Sequence, residues 1–497
     1  MGGKKRIIRN ISLNTLGLGI PLIVAIVAFP VLIKGMGTSR FGVLLLAWMV
    51  VGYFSVFDLG LGRAITKLVA EKRGLKAYDE LPGIIQTSLL LLAGLGLVGA
   101  AGFLLVAPLL VSEILSVPAD LITESKAAFQ ILAISIPIVV ISSALAGVLE
   151  AHQRFGLTNA IRLPLGVATF LIPLLILPYS NSLVHFVIAL VSVRAFAAIA
   201  FVGMTLKVVP GLGSRISIVP TVIPSLLRLG GWMTVSNLIS PMLVYLDRFL
   251  VGAAISMSAV TYYTTPYEVV TKALLLPRAI MGVLFPEFAA SIAHDPKRTL
   301  VIFHRWRNYI FAIMFPFSLI VVLLAGDFLT VWLGSEFANQ STRVLQYLAV
   351  GVLVNSLAQL AFGLIQGAGR ADLTAKIHLF ELPFYLLALW WMTKQFGING
   401  TALAWTIRVS VDAVIMFYVA DRILNRSALT FRAVVQILVS IFVCLAILIV
   451  GSNVPTLPYR LAYLAAVLTT FAIFSWLVLL DQDDRRYIRD RSILGRR

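Results

Sequence analysis

Along this chain, apolar windows of about twenty residues alternate with short polar breaks. The windows fall at 13–33, 41–62, 82–110, 127–149, 164–179, 183–206, 229–254, 260–290, 309–333, 343–367, 379–394, 399–420, 433–451 and 460–480. Each runs on without the period-two alternation of a barrel strand, so the pattern predicts fourteen membrane-spanning helices. The windows at 164–179 and 379–394 are short, and 260–290 carries Glu268, Lys272 and Arg278 within it. The opening MGGKKRIIRN and the apolar run from Ile11 to Ile33 have the outline of a secretory signal. A signal core is about 7 to 15 residues long and ends at a small-residue cleavage site. This run is longer and ends in Ile33 and Lys34, and it is read as the first span.

Composition agrees. Of 497 residues, 60% are hydrophobic and 12% charged, and the mean hydropathy is +0.97. A water-soluble surface needs roughly a quarter of its positions charged, so the bilayer is the main solvent and the fold class is all-α and polytopic. The net charge of +18 follows from topology. An even number of spans leaves both termini on one side, and that side holds 29 of the 40 Lys and Arg residues. Six lie in the opposite loops and five (Arg194, Arg248, Lys272, Arg278, Arg408) within spans. By the positive-inside bias both termini are expected in the cytoplasm, with the protein in the cytoplasmic (inner) membrane. A nucleic-acid partner is not needed to explain the charge. The tail DQDDRRYIRDRSILGRR is positioned to meet anionic lipid headgroups or simply water. One cysteine, Cys444, excludes a disulfide framework and a Cys-based metal site.

The breaks contain a repeat. GVLEAHQRFGLTNAIRL from Gly147 lies over GLIQGAGRADLTAKIHL from Gly363 at an offset of 216, with Arg154/Arg370, Leu157/Leu373, Thr158/Thr374, Ile161/Ile377 and Leu163/Leu379 also matching. Pro21 and Pro241 each fall within the first span of a proposed half. An even number of spans separates the matched elements, so the halves are expected to be parallel repeats, two six-helix bundles facing a midplane cavity, with two C-terminal helices appended. The expected organisation is a cytoplasmic N-terminus (1–12), a first bundle (13–206), a linker (207–228), a second bundle (229–421), two additional spans (422–480) and a basic tail (481–497).

Several segments carry a resemblance. Phe41-Gly42 opens the second window, Asp58-Leu59-Gly60-Leu61-Gly62 closes it, and Asp247-Arg248-Phe249-Leu250-Val251-Gly252 closes the seventh. With YYTTPYEVV and VLFPEFA in the eighth, these resemble the polysaccharide-biosynthesis flippases, the Wzx-type exporters of lipid-linked oligosaccharides. Their superfamily also holds multidrug and toxin extrusion antiporters and lipid II flippases. The resemblance implies alternating access and a polyprenyl-pyrophosphate sugar as substrate. It also implies membrane lipids as surroundings, with a polysaccharide polymerase or glycosyltransferases of the same pathway as partners.

An ionisable residue at mid-membrane costs at least about 2.5 kcal/mol unless it is paired or wetted. Arg194 and Arg408 lie about halfway along the sixth and twelfth windows, and a pair of guanidinium forks suits a diphosphate. Arg408 has a second reading, an ion pair with Asp412 one turn on. Glu268, Lys272 and Arg278 are read as lining a wet lumen, or as an internal salt bridge. Asp247 and Arg248 are read as gate or structure, within snorkelling reach of the headgroups. Asp58 is read as a helix cap or, with Arg63, an inner gate. The candidate substrate-binding set is therefore Arg194, Glu268, Lys272, Arg278 and Arg408. Its charges, with Arg248 and the acids, leave the membrane interior weakly cationic, which favours an anionic amphiphile over a drug cation.

Catalytic signals are poor. The five histidines (His152, His185, His294, His304, His378) show no metal-ligand spacing. The glycine-rich AGLGLVGAAG lies inside an apolar window with no following lysine, which is helix packing rather than a nucleotide loop. No cofactor is expected and the chain is not read as an enzyme. The competing readings are a drug or cation antiporter of the same fold and, from another class, a membrane polymerase or glycosyltransferase. The latter resemble chains with a sizeable outer loop, and no outer loop here exceeds about sixteen residues.

Overall fold

The computed structural model describes residues 20–54, 61–213, 217–224, 243, 245–292, 294–425, 446, 450, 451, 453–480 and 485. Every regular element among them is helical. In order these are α1 (Ile20–Met36), α2 (Thr38–Tyr53), α3 (Leu61–Gly74), α4 (Leu81–Leu109), α5 (Ile122–Ala151), α6 (Phe155–Ile176) and α7 (Leu183–Val208). Then come α8 (245–254), α9 (Met257–Val270), α10 (Leu275–Ser291), α11 (Pro296–Leu333), α12 (Ser335–Gly367), α13 (Ala371–Asn425) and α14 (Leu457–Phe474).

Nine helical stretches among the described residues are long and apolar enough to cross a membrane, with α1 and α2 as shorter apolar helices. The 55-residue α13 accounts for two windows, because Gly397 at φ 58°, ψ −143° breaks it into two limbs. Only glycine holds such a conformation without strain. Most of 433–451, part of 229–254, Pro241, Cys444, Asp58 and both termini lie outside the described residues.

The helices differ from the windows in detail: the fifth, ninth and tenth windows are preceded by 9, 13 and 8 further helical residues, from Phe155, Pro296 and Ser335. The second ends at Tyr53, and the break after it is itself a helix, α3. Its Leu61, Ala64, Ile65 and Val69 are buried at helical spacing while the lysines face outward, a surface helix rather than a loop. The eighth starts at Met257 and is interrupted by the 3-10 turn Thr271–Leu274 between α9 and α10. Pro277 two residues into α10 offers no N–H to the carbonyl of Ala273, so the backbone tightens there. A π turn, Leu110–Ile114, extends α4.

Contacts divide the chain into two units, Met1–Thr264 and Thr265–Arg497, and the division falls within α9. In the first unit α5 is the central helix, with 56% of its most apolar window buried, more than any other span there. Its small residues Ala128, Ala133, Ala144 and Ala146 allow that close approach. The Arg73 guanidinium donates to the Ala151 carbonyl, satisfying an open acceptor at the C-terminus of α5. Glu124 joins the start of α5 to Arg40 of α2 at 3.3 Å and to the Leu183 N–H of α7. At Gly42 a Cβ would run into the Met257 carbonyl, so the Phe41-Gly42 pair marks where α2 presses on the start of α9. Thr38 and Ser39 hydroxyls both lie 2.9 Å from Ser258 Oγ, and Thr261 donates to the Thr38 carbonyl at 2.7 Å, closing the same seam.

In the second unit α12 is central, with 72% of its window buried. α14, extended by the π turn Ser475–Leu479, has no buried residue in its window, yet it is held at both ends. Arg460 reaches Asp327 of α11 at 2.7 Å, and Asn308 of α11 donates to the Leu479 carbonyl at 3.2 Å.

The offset of 216 is visible in the backbone. The central helices end at Ala151 and Gly367, and the next helices begin at Phe155 and Ala371. Between them Gln153 (φ 56°) and Gly369 (φ 75°) are both left-handed. Arg154 N–H donates to Leu149 O at 2.9 Å and Arg370 N–H to Ile365 O at 3.1 Å. Gln153 N–H donates to Glu150 O at 2.8 Å and Gly369 N–H to Gln366 O at 2.9 Å. Both are Schellman caps, each bond of one having its counterpart 216 residues away.

Candidate functional site

In the first unit Arg194 stands eleven residues into α7. The buried positions of that helix, Leu183, Phe186, Val187, Leu190, Ala197, Phe201 and Thr205, form one stripe, and Arg194 falls on it between Leu190 and Ala197. The exposed Phe196 and Ile199 lie on the opposite face. Its guanidinium therefore points away from lipid, and Nη1 donates only to the Leu190 carbonyl of its own helix, at 3.4 Å. Among the described residues it has no ion pair.

Asp247 and Arg248 on α8 are 1% and 0% exposed, so neither snorkels to a headgroup as the sequence suggested. Asp247 accepts from the Tyr263 hydroxyl of α9 at 2.6 Å and from the Arg248 N–H at 2.8 Å. The Arg248 guanidinium is 4.0 Å from the same carboxylate and 5.3 Å from the centre of the Tyr245 ring, which packs on Tyr53 of α2. This is a buried charged joint between α8 and α9. Asp58 lies outside the described residues, as does the side chain of Arg63.

In the second unit Lys272 is 3.1 Å from Glu268, both partly exposed, which is the internal salt bridge of the two sequence readings. Arg278 is exposed, past the 3-10 turn, and does not join them.

The two limbs of α13 assemble a cluster that the sequence did not single out as one. Arg408 does not pair with Asp412. Its Nε lies 3.9 Å from Glu381, and its guanidinium sits over the Tyr385 ring at 5.6 Å. Asp412 instead faces His378, at 3.4 Å. Donor atoms of His378, Glu381 and Asp412 all lie within 4.8 Å of one another, a set able to hold a cation. Glu381 and Asp412 are 6% and 7% exposed. Neither Glu381 oxygen, nor Asp412 Oδ1, nor Arg408 Nε has a hydrogen-bond partner among the described residues. The i, i+3, i+7 spacing of His378, Glu381 and Tyr385 puts them on one face of the first limb. That spacing was the available signal, and the second limb, some thirty residues on, supplies the rest.

Comparison with known proteins gives three findings. The family described as "Polysaccharide biosynthesis protein" matches residues 36–342. A Shigella flexneri protein described as "Putative O-antigen transporter" is 31% identical over 419 residues, covering 84% of this chain and 98% of that protein. Among solved structures, a MATE-family multidrug resistance transporter of the MOP superfamily in an inward-facing conformation superposes with TM-score 0.72 at 14% identity, over 84% of this chain and 99% of its own. The lipid II flippase MurJ, inward closed, superposes with TM-score 0.71 at 13% identity, over 93% and 98%. At such identities these two likenesses show the fold.

Proposed function

The chain belongs to the polysaccharide biosynthesis family of multi-pass membrane proteins, and on that premise we propose that it is a flippase. It moves a polyprenyl-pyrophosphate-linked oligosaccharide from the cytoplasmic to the outer leaflet of the inner membrane, by alternating access of two parallel six-helix repeats. Both termini face the cytoplasm, as the placement of 29 of 40 basic residues supports. The observation that carries the reading is Arg194, a guanidinium at mid-span on the inward stripe of α7 with no acid bound to it among the described residues. A cation so placed needs an anion from elsewhere, and the two-phosphate headgroup supplies one with matching fork geometry. Of the other cations that the sequence offered, Lys272 is engaged with Glu268, Arg408 is enclosed beside Glu381, and Arg278 is exposed. Asp247, Arg248 and Tyr263 hold α8 to α9 and are positioning groups. A membrane potential, negative inside, favours outward movement of the headgroup by about 2.3 kcal/mol per charge per 100 mV. The polymerase and glycosyltransferases of the same pathway act on either side of this step.

The test is Arg194→Ala and Arg194→Lys in reconstituted liposomes loaded with a fluorescent polyprenyl-pyrophosphate sugar. The alanine variant is expected to lose flipping while remaining monodisperse, and the lysine variant to recover part of it, keeping charge but not the fork. Wild-type flipping by the alanine variant overturns the reading.

A further inference from the structure

The polar start of α11 and the last turn beyond α14 meet at one level. The apolar window of α11 begins at Tyr309 and that of α14 ends at Leu480, and the Asn308 amide donates to the Leu479 carbonyl at 3.2 Å. That bond sets two hydrocarbon boundaries side by side, so the groups around it stand at headgroup depth. Trp306 and Tyr309, edge to face with ring centres 5.4 Å apart, are residue types that favour this layer. Two guanidinium groups lie here. Arg307 donates from Nε and Nη2 to the Asn308 side-chain oxygen, at 3.4 and 3.1 Å. Arg485 donates from Nε to the Leu480 carbonyl and from Nη2 to the Leu477 carbonyl, each at 3.0 Å. Both are partly buried and tied to the same turn, Arg485 directly and Arg307 through Asn308. Every oxygen they meet is neutral, and among the described residues neither has an ion pair. Neutral oxygens hold a guanidinium in place without cancelling its charge, and Nη1 of each is left to an outside acceptor. Arg305 is not part of the site, because its Nε is held on the Tyr309 hydroxyl at 2.6 Å.

We propose that Arg307 and Arg485 bind the phosphate of one anionic phospholipid, whose acyl chains lie along the exposed Phe474, Leu477 and Val478, and that this lipid completes the joint between α11 and the end of α14. A guanidinium fork matches phosphate oxygens in pairs, and a basic recess between helix ends at the membrane surface is a site for acidic headgroups. The apolar wall beside the two cations is what selects a lipid. A soluble phosphate would leave Phe474, Leu477 and Val478 bare, whereas a phospholipid covers them and satisfies the charge together. A zwitterionic headgroup fits less well, because it brings its own ammonium towards two guanidinium groups. The site does not depend on the flippase reading; only its assignment to the cytoplasmic leaflet rests on the orientation proposed above.

The experiment uses the full-length protein in nanodiscs of phosphatidylcholine with a minor fraction of phosphatidylglycerol, counting retained lipid by native mass spectrometry and following thermal unfolding. Wild type is expected to retain one phosphatidylglycerol and to melt higher than in phosphatidylcholine alone. Arg307→Gln removes a charge-assisted fork, at least about tenfold in affinity, and is expected to lose both the retained lipid and the gain in melting temperature. Arg485→Gln is expected to do the same, and gives an independent second variant should the first not fold. Arg307→Lys is expected to keep part of each, with charge but no fork. Lys297→Gln makes the same change of charge at an exposed position of α11 outside the site and is expected to behave as wild type. No retained phosphatidylglycerol in wild type, or unchanged retention in folded Arg307→Gln and Arg485→Gln, overturns the proposal. So does an equal loss in Lys297→Gln, which makes the effect bulk charge attraction. A gain from inorganic phosphate alone as large as that from phosphatidylglycerol makes it a free-phosphate site, and displacement of the retained lipid by an equimolar polyprenyl phosphate makes it a site for the carrier lipid; either result also overturns the assignment. None of these readouts depends on flipping, so failure of the flippase reading is seen separately.

Discussion

Exchanging the residues at the two equivalent caps has opposite effects on stability that can be worked out beforehand. Gln153 and Gly369 occupy the same left-handed position of the same hydrogen-bonded turn. Both are exposed, and a Cβ at Gly369 would meet nothing within 4 Å. Backbone conformation is therefore the whole difference. Holding a non-glycine residue in this region costs about 1–2 kcal/mol. Glycine loses more chain entropy on folding, which returns about 0.4–1 kcal/mol of that. Gln153→Gly should then stabilise by about 0.5–1 kcal/mol, and Gly369→Gln should destabilise by a similar amount. On the scale of domains of this size, the shifts are about 1–4 °C up and down. Thermal unfolding of purified protein in one detergent, by tryptophan fluorescence and loss of the monodisperse peak, measures both. The double variant should fall back near wild type, because the two turns share no partner among the described residues. Destabilisation by Gln153→Gly, or no loss on Gly369→Gln, would refute the equivalence of the caps.

Other outcomes follow from the same structure. Tyr263→Phe removes a donor from the buried Asp247 carboxylate and should lower stability by about 1.5–3 kcal/mol, seen as a drop in melting temperature; an unchanged melting temperature means the joint is not strained by the loss. Gly42→Ala drives a Cβ into the Met257 carbonyl and should cost about 1–3 kcal/mol by overpacking, whereas Gly102→Ala, with open space around it, should be neutral or better in the same melt. Cysteines at Asn181 and at Lys297 test orientation in intact cells. An impermeant thiol reagent should label the first and spare the second, and the reverse pattern would invert the topology.

The membrane fold was legible because its cause is composition. A window of twenty apolar residues has one stable arrangement in lipid, and each described helix covers its window, although α6, α11 and α12 begin 9, 13 and 8 residues earlier, in polar stretches read as breaks, and α3 is an amphipathic surface helix where a loop was expected. The repeat was legible at one turn because a Schellman cap ties six residues together and leaves a local imprint at Arg154 and Arg370. Pairings were legible only in part: Glu268 and Lys272, one turn apart, do form the ion pair that their spacing suggests. Arg408 and Asp412 sit one helical turn apart and invite an ion pair, but both side chains face the first limb of α13, where Glu381 and His378 compete for them. Asp247 and Arg248 looked close enough to the interface to reach water, and burial under Tyr245 and Tyr263 prevents it. The deciding partners come from the other limb of α13 in the first case and from Tyr263 of α9 in the second, and spacing along one stretch of helix carries no information about what packs against it.

The clamping of α14 gives a way to watch the molecule work. A rod pinned to its neighbour near both tips, by Arg460 on Asp327 and by Asn308 on Leu479, can neither slide nor swivel without breaking a clasp. It must copy every tilt of α11. Its outer face is bare, with Tyr459 and Trp476 turned outward, so a dye anchored there disturbs no internal contact. Such a dye is a pointer needle for the second unit, read by fluorescence anisotropy or distance transfer while the interior stays unlabelled.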